Sequence, residues 1–238
     1  MFSLFKNLFF SSNEHVWDLN FFSKLDFSII INVGARYDEK NDIDKNLIKY
    51  FPKSLFILIE PNKECEDKIL SAYREKEINF KFFNYCLDSV SRKVNFYVRG
   101  SKTSIFKSLA MQKKKIKYNR VEKLKTYTFD EKFYNYILKN KNKKILMKID
   151  TEGSELEIIK GAKKSLKHID ALIFEIDNLE RFEGGCNNFN LSKYLCKFNF
   201  FASKTIISNI VKTNKNKKFI NYQDILFLKK NITWPLEE

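Results

Sequence analysis

The stretch from Lys144 to Ala162, KILMKIDTEGSELEIIKGA, constrains the fold more than any other part of this chain. Residues 145–149 form a short, mostly apolar run, suited to a strand buried on both faces of a parallel sheet. Asp150-Thr151-Glu152-Gly153 reads as a turn carrying two carboxylates. Ser154 and Glu157 have the spacing of a capping box, Ser at N-cap and Glu at N3, so a helix is expected from there. Leu156, Ile159 and Ala162 recur at helical spacing and give that helix its sheet-facing side. Strand, polar turn and helix in this order define an open α/β sheet, whose ligands bind at the carboxyl ends of the strands. Lys148 and Asp150 leave the strand on one side, roughly 6–7 Å apart. A lysine inside a buried strand is unfavourable unless it has a partner or a task. Two readings fit: a structural ion pair beneath an ordinary turn, or part of a site.

The rest of the chain supplies the other strands. Residues 27–33, FSIIINV, read as a buried central strand that ends at Asn32-Val33-Gly34-Ala35-Arg36. Gly34 and Ala35 are the small residues that a nucleotide-binding first turn needs, but the second glycine of a phosphate-binding G-x-G is missing, which argues against a dinucleotide. A first helix through residues 47–50 stops at Pro52, and residues 54–59 form a second strand ending at Glu60-Pro61-Asn62. Glu60 lies 26 residues beyond Gly34, a spacing that suits one βαβ unit. An acid at that strand end accepts hydrogen bonds from ribose hydroxyls, or is a plain surface residue. Residues 79–87 are expected as one third strand, with residues 93–98 in a hairpin against it. Asp130 is expected to cap a helix through Leu138. Residues 170–176 make the fifth strand, placing Glu175 beside the fourth strand at the carboxyl end. A loop over residues 179–190 has the length of a substrate cover. A short helix at 191–196 and two last strands, 198–207 and 224–228, follow.

The segment K-I-D-T-E-G-S-E-L-E-I-I-K-G-A resembles the K-x-D-x-E-G-x-E…K-G-A pattern of the FkbM family of S-adenosylmethionine-dependent methyltransferases. The matching residues are Lys148, Asp150, Glu152, Gly153, Glu155, Lys160, Gly161 and Ala162. Glu60-Pro61-Asn62 is similar to the E-P-N of that family. Val33-Gly34-Ala35 keeps the core of its D-V-G-A-N-x-G, with Asn32 for the Asp, Arg36 for the Asn and Asp38 for the second Gly. The resemblance spans roughly residues 28–230. It implies a Rossmann-like class I methyltransferase fold: a mainly parallel central sheet with an antiparallel C-terminal strand pair and helices on both faces. It further implies S-adenosylmethionine as cofactor, held by Asn32, Gly34, Ala35, Arg36, Glu60, Pro61 and Asp150. Cys86 and Leu87 would flank the adenine, and Ser104 would touch cofactor or acceptor. Methyl transfer to a hydroxyl requires a base. Glu152 is the expected base, Asp150 and Lys148 hold the geometry, and Glu175 is a further carboxylate at the crevice.

Composition bounds the partners. The 238 residues suit one domain, 25–238, behind an N-terminal segment, 1–24, whose Phe2, Phe5 and Phe9 fit an amphipathic helix. The formal charge of +15 favours an anionic partner: nucleic acid, an acidic membrane surface or a phosphorylated small substrate. Lysine runs at 113–117, 139–144 and 212–218 each read as a solvated loop or helix end and together as a broad positive field. Cys65, Cys86, Cys186 and Cys196 form no C-x-x-C, and His15 and His168 lie apart from them, so no metal site is expected and reduced, cytoplasmic thiols fit. No apolar run reaches membrane-span length; a peripheral contact and a dimer stay open. The expected activity is O-methylation of a sugar hydroxyl, on a sugar or nucleotide-sugar used for surface polysaccharide. The alternative is a basic nucleic-acid-binding protein, or an RNA methyltransferase on the same fold. Against the latter, the chain has no D/N-P-P-Y/F tetrapeptide and no Pro-Cys pair.

Overall fold

A computed structural model of the chain describes residues 24–36, 43–99, 102–108, 117–177, 182–212 and 218–230. The expected amphipathic segment 1–24, apart from Lys24, lies outside these residues. So do Asp38, most of the lysine run at 113–117, the inner part of the run at 212–218, and the start of the covering loop. The strands are β1 (Ile29–Val33), β2 (Leu55–Ile59), β3 (Phe80–Phe83), β4 (Cys86–Leu87), β5 (Lys93–Arg99), β6 (Lys102–Ser104), β7 (Arg120–Tyr127), β8 (Ile145–Ile149), β9 (Ala171–Asp177), β10 (Phe200–Lys212) and β11 (Lys218–Lys229). The helices are α1 (Ile43–Tyr50), α2 (Glu66–Glu75), α3 (Phe129–Lys139), α4 (Glu155–Gly161) and α5 (Asn188–Cys196).

β1 and β8 are buried at every residue, as their unbroken apolar runs demand of central strands. They pair in parallel, Ile29 with Ile145 through Val33 with Ile149. The seven-stranded sheet has the order β10-β11-β9-β8-β1-β2-β3. Only β11 is reversed, antiparallel to both β9 and β10. This is the expected class I methyltransferase arrangement. Alternate residues of each strand serve opposite faces. Ile31, Met147 and Phe174 pack with Phe133 of α3, Ile159 of α4 and Leu195 of α5. Ile30, Leu146 and Ile173 pack on the other face with Leu47 of α1 and Tyr73 of α2. Among the described residues no helix is long and apolar enough to cross a membrane.

The third strand departs from expectation. It ends at Phe83, because the Asn84 side chain donates from Nδ2 to the carbonyls of Glu60 (2.8 Å) and Pro61 (3.2 Å) and bends the chain. Cys86 and Leu87 then leave the main sheet and pair in parallel with Thr126 and Tyr127 of β7. β5 forms no hairpin with the third strand. It pairs antiparallel with β6 and β7, giving a second, four-stranded sheet of order β4-β7-β5-β6. An apolar run states that a strand will be buried but not which sheet it joins; here the partner of Cys86 is Thr126, far along the chain.

Two caps also differ. α4 starts where expected, but Ser154 makes no side-chain cap bond; its hydroxyl donates to the Thr151 carbonyl at 3.2 Å. Glu157 instead pairs with Lys160 at 2.5 Å. α3 is capped by Thr128, whose hydroxyl accepts the Glu131 N–H, so Asp130 is not its cap. Asp130 accepts from the N–H groups of Lys164 and Ser165 and from the Ser165 hydroxyl, tying α3 to the short turn that follows α4.

The K-G-A at the end of α4 has a packing reason. A Cβ on Gly161 would lie 2.3 Å from the carbonyl oxygen of Asp88, just after β4. Gly161→Ala should therefore destabilise the fold by about 1–3 kcal/mol, the usual result of overpacking against backbone. Urea unfolding measures this; an unchanged midpoint would mean that the β4 connection yields freely.

The β10–β11 ribbon runs past the carboxyl edge of the sheet. Tyr222 is in register with Asp177, the last residue of β9. Residues 218–221 continue beyond it, about 13 Å at strand rise. Lys212 and Lys218, in register with each other, stand at the far end of the ribbon on this side.

Candidate active site

The carboxyl ends of β1, β2, β8 and β9 border a crevice, and the second sheet supplies the opposite wall. Its volume is about 890 Å³ with the open mouth included. Of the residues singled out in the sequence, Gly34, Arg36, Glu60, Pro61, Cys86, Leu87, Ser104, Asp150, Glu152 and Glu175 line it. Asn32, Ala35 and Lys148 do not. Asn32 and Lys148 are buried neighbours in the sheet, 1% exposed each, directly paired in register beneath the crevice floor. Ala35 is packed into the apolar layer with α1 and α2.

Gly34 has φ +78°, and a Cβ there would fall 1.9 Å from the backbone oxygen of Asp150. The small residue is thus required for the turn after β1 to pass the turn after β8. Its N–H is bonded to Ile59 O (2.9 Å), and the Asp150 N–H to Val33 O (3.0 Å), so the three strand ends are laced together.

Glu60 is 5% exposed. Pro61 turns the chain so that the Asn62 N–H returns to the Glu60 carboxylate at 2.6 Å. Asn62 Oδ1 in turn accepts from the Glu64 N–H and from Arg120 of β7, which joins the E-P-N turn to the second sheet. Burial pushes the Glu60 carboxyl up to about 8. The Asn62 bond, Arg36 and Lys148 oppose that rise, and Asp150 adds to it. Cys86 is buried and its thiol is pushed up to about 12, which makes it a wall and not a nucleophile.

Lys148 Nζ lies 3.3 Å from Asp150 Oδ2, so the lysine of the buried strand does have its ionic partner. The turn after β8 is held from several directions. Glu155, 4% exposed, accepts at Oε1 from Thr151 N–H (3.0 Å), the Thr151 hydroxyl (3.2 Å) and Gly153 N–H (3.2 Å). Burial raises its carboxyl to about 7 against those bonds. Glu152 itself has φ +54° and Gly153 φ +106°. Ser104 Oγ donates to the Glu152 carbonyl at 2.7 Å. The Glu155 role was missed from sequence, where it counted only as one more motif acid. Tyr85, Phe96 and Ile105 also line the crevice. Phe96 alternates with the outward lysine and asparagine of β5, the signal that could have found it.

Strand order, a polar crevice at the carboxyl edge and a buried acid at the end of β2 together define a class I methyltransferase fold. The sequence profile of the methyltransferase FkbM domain matches residues 32–203. The chain belongs to the FkbM methyltransferase family. No curated protein matches it. Among solved structures it is similar to an FkbM methyltransferase from Methylobacillus flagellatus, at 13% identity and TM-score 0.49 over 87% of this chain and 47% of that one. It is also similar to precorrin-6y C5,15-methyltransferase from Geobacter metallireducens, at 10% identity and TM-score 0.45 over 89% and 85%. A third is magnesium protoporphyrin IX methyltransferase from Synechocystis with bound S-adenosylmethionine, at 7% identity and TM-score 0.43 over 86% and 71%. At these scores the fold rests on the strand order above. The chain spans about half the length of the Methylobacillus protein.

The cofactor that goes with membership is S-adenosylmethionine. The residues fit it. Glu60 is a buried acceptor aimed at the crevice, which is what two ribose hydroxyls require, and Leu87, Phe96, Ile105 and Ile158 offer apolar walls for a base. The turn after β1 has no glycine-rich phosphate cradle, and this cofactor carries no phosphate.

Proposed function

We propose that the chain is an O-methyltransferase that methylates a sugar hydroxyl, on a nucleotide-activated sugar for surface polysaccharide. The observation that carries this reading is the convergence of Asp150, Glu152 and Glu175 on the crevice that Glu60 also faces, in a member of the FkbM family. Bound S-adenosylmethionine supplies an electrophilic methyl group. Glu60 holds its ribose, Asp150 its amino group, and Cys86 with Leu87 its adenine. Glu152 would take the proton of the acceptor hydroxyl, leaving the oxygen's electron pair to bond the methyl carbon as the carbon–sulfur bond breaks and neutral S-adenosylhomocysteine departs. Lys148, through its ion pair, fixes Asp150. Such positioning is worth several kcal/mol in a displacement of this kind. The net charge of +15 favours a phosphate-bearing acceptor.

The test combines calorimetry with S-adenosylmethionine and transfer of a labelled methyl group to a panel of nucleoside-diphosphate sugars. Binding and transfer to at least one sugar hydroxyl are expected. RNA should bind only weakly and lose affinity steeply as salt rises. Tight, sequence-selective RNA binding at physiological salt, with methyl label on the RNA, would replace the sugar reading with the nucleic-acid one.

A further inference from the structure

The turn after β8 is over-determined, and its restraints come from three separate parts of the chain. Both peptide groups that flank Glu152 are engaged. The N–H groups of Thr151 and Gly153 meet one oxygen of Glu155. The Thr151 carbonyl accepts from the Ser154 hydroxyl. The Gly153 carbonyl accepts from the Cys186 N–H at 2.8 Å. The Glu152 carbonyl accepts from Ser104, which reaches it from the second sheet, 48 residues away in sequence. Ser104 is 6% exposed, and its own oxygen accepts the Phe106 N–H at 2.9 Å, so the hydroxyl can hardly swing. Glu152 sits in the left-handed region at φ +54°. A residue with a Cβ stays there only when its surroundings compel it. An ordinary βα turn needs neither a fully buried carboxylate beneath it nor a hydroxyl from another sheet above it.

We propose that Ser104 and Glu155 are positioning residues that hold Glu152 in its left-handed conformation and thereby aim its carboxylate into the crevice. The inference rests on the reading of Glu152 as the acceptor base. Glu155 grips the N–H side of the turn from below and Ser104 grips the carbonyl side from above. With both amide directions fixed, the direction of the Glu152 Cα–Cβ bond is fixed too. A base displaced by about 1 Å can lose about 10²-fold in rate. The two residues therefore act on turnover without being catalytic residues themselves.

The experiment uses the full chain in two arms, with four single variants at Ser104 and Glu155, Glu152→Gln, and the two removing changes each combined with Glu152→Gln. Ser104→Ala and Glu155→Leu remove the bonds; Ser104→Thr and Glu155→Gln keep an acceptor or donor in place. In the first arm, crystal structures with S-adenosylhomocysteine should show Glu152 out of the left-handed region, or its carboxylate displaced, in the two removing variants and unchanged in the two conservative ones. In the second arm, labelled methyl transfer to nucleoside-diphosphate sugars should fall about 10–100-fold in Ser104→Ala and Glu155→Leu. S-adenosylmethionine affinity should stay within about threefold, and the conservative variants should restore turnover. Added to Glu152→Gln, neither removing change should lower the rate further, because the group they aim is already gone. Unmoved Glu152 in both removing variants overturns the proposal, as does a loss that multiplies with Glu152→Gln or falls wholly on cofactor affinity. Full activity of Glu152→Gln, or no transfer by the parent, removes the base assignment instead, and the crystallographic arm still decides the positioning. Should Glu155→Leu not fold, Ser104→Ala and Ser104→Thr carry both arms.

Discussion

Glu152→Gln should lower methyl transfer by about 10²–10⁴-fold and leave S-adenosylmethionine affinity nearly unchanged. Gln keeps the size of the side chain and most of its hydrogen bonds but cannot accept the hydroxyl proton. The backbone restraints on this residue, from Ser104 and Glu155, do not involve its carboxylate and survive the change. Steady-state rates with labelled cofactor, beside calorimetry on the same samples, separate the two effects. Asp150 and Glu175 face the same crevice. If Glu152→Gln stays active while Asp150→Asn or Glu175→Gln is inactive with cofactor still bound, the base is the other residue and the enzyme class stands.

Glu60→Gln should trade cofactor affinity for stability, with a pH signature. The folded Glu60 carboxyl titrates near 8, against 4.5 when unperturbed, because it is buried. Between these values the folded protein holds a proton that the unfolded chain has lost, so stability falls as pH rises through that window. Above about pH 8 the full penalty is present; below 4.5 it is absent. At about 1.4 kcal/mol per unit, Glu60→Gln should be more stable than the parent by about 2–5 kcal/mol at pH 8 and above. The difference should vanish as pH drops to 4.5. Ribose hydroxyls donating to Glu60 favour its ionised form. Cofactor affinity of the parent should therefore rise with pH between 6 and 8, whereas that of Glu60→Gln should be flat. The substitution should also weaken binding by about 1–3 kcal/mol, as expected when polar partners are left poorly matched. Equal affinity and an equal pH slope in both proteins would take Glu60 out of the cofactor site. Chemical unfolding across pH tests the stability half independently.

The central strands were legible because their information is local. An unbroken apolar run such as Ile29–Val33 can be satisfied only by burial on both faces, and the seven-stranded sheet puts β1 and β8 side by side. The ends of those runs also located Glu60, Asp150 and Glu152, since a polar residue after a buried strand must emerge at the carboxyl edge, and Glu175, inside β9 near its end, lines the same crevice. Lys148 was recognisable as a buried charge in need of a partner, and Asp150, two residues on, supplies it.

Sequence alone thus determined the fold class, the edge of the sheet that borders the crevice and the family to which its motif belongs. Tertiary structure decided the rest. It sent Cys86 and Leu87 to a second sheet, through pairing with Thr126 and Tyr127. It drew Asp130 from the cap that local spacing assigned it to the turn at Lys164–Ser165, 34 and 35 residues further on. It also brought Ser104 and Glu155 onto opposite sides of the Glu152 turn. Periodicity reports which side of an element is buried. It does not report which polar groups meet there, because satisfying a buried donor or acceptor depends on atoms that the folded chain alone brings within about 3 Å.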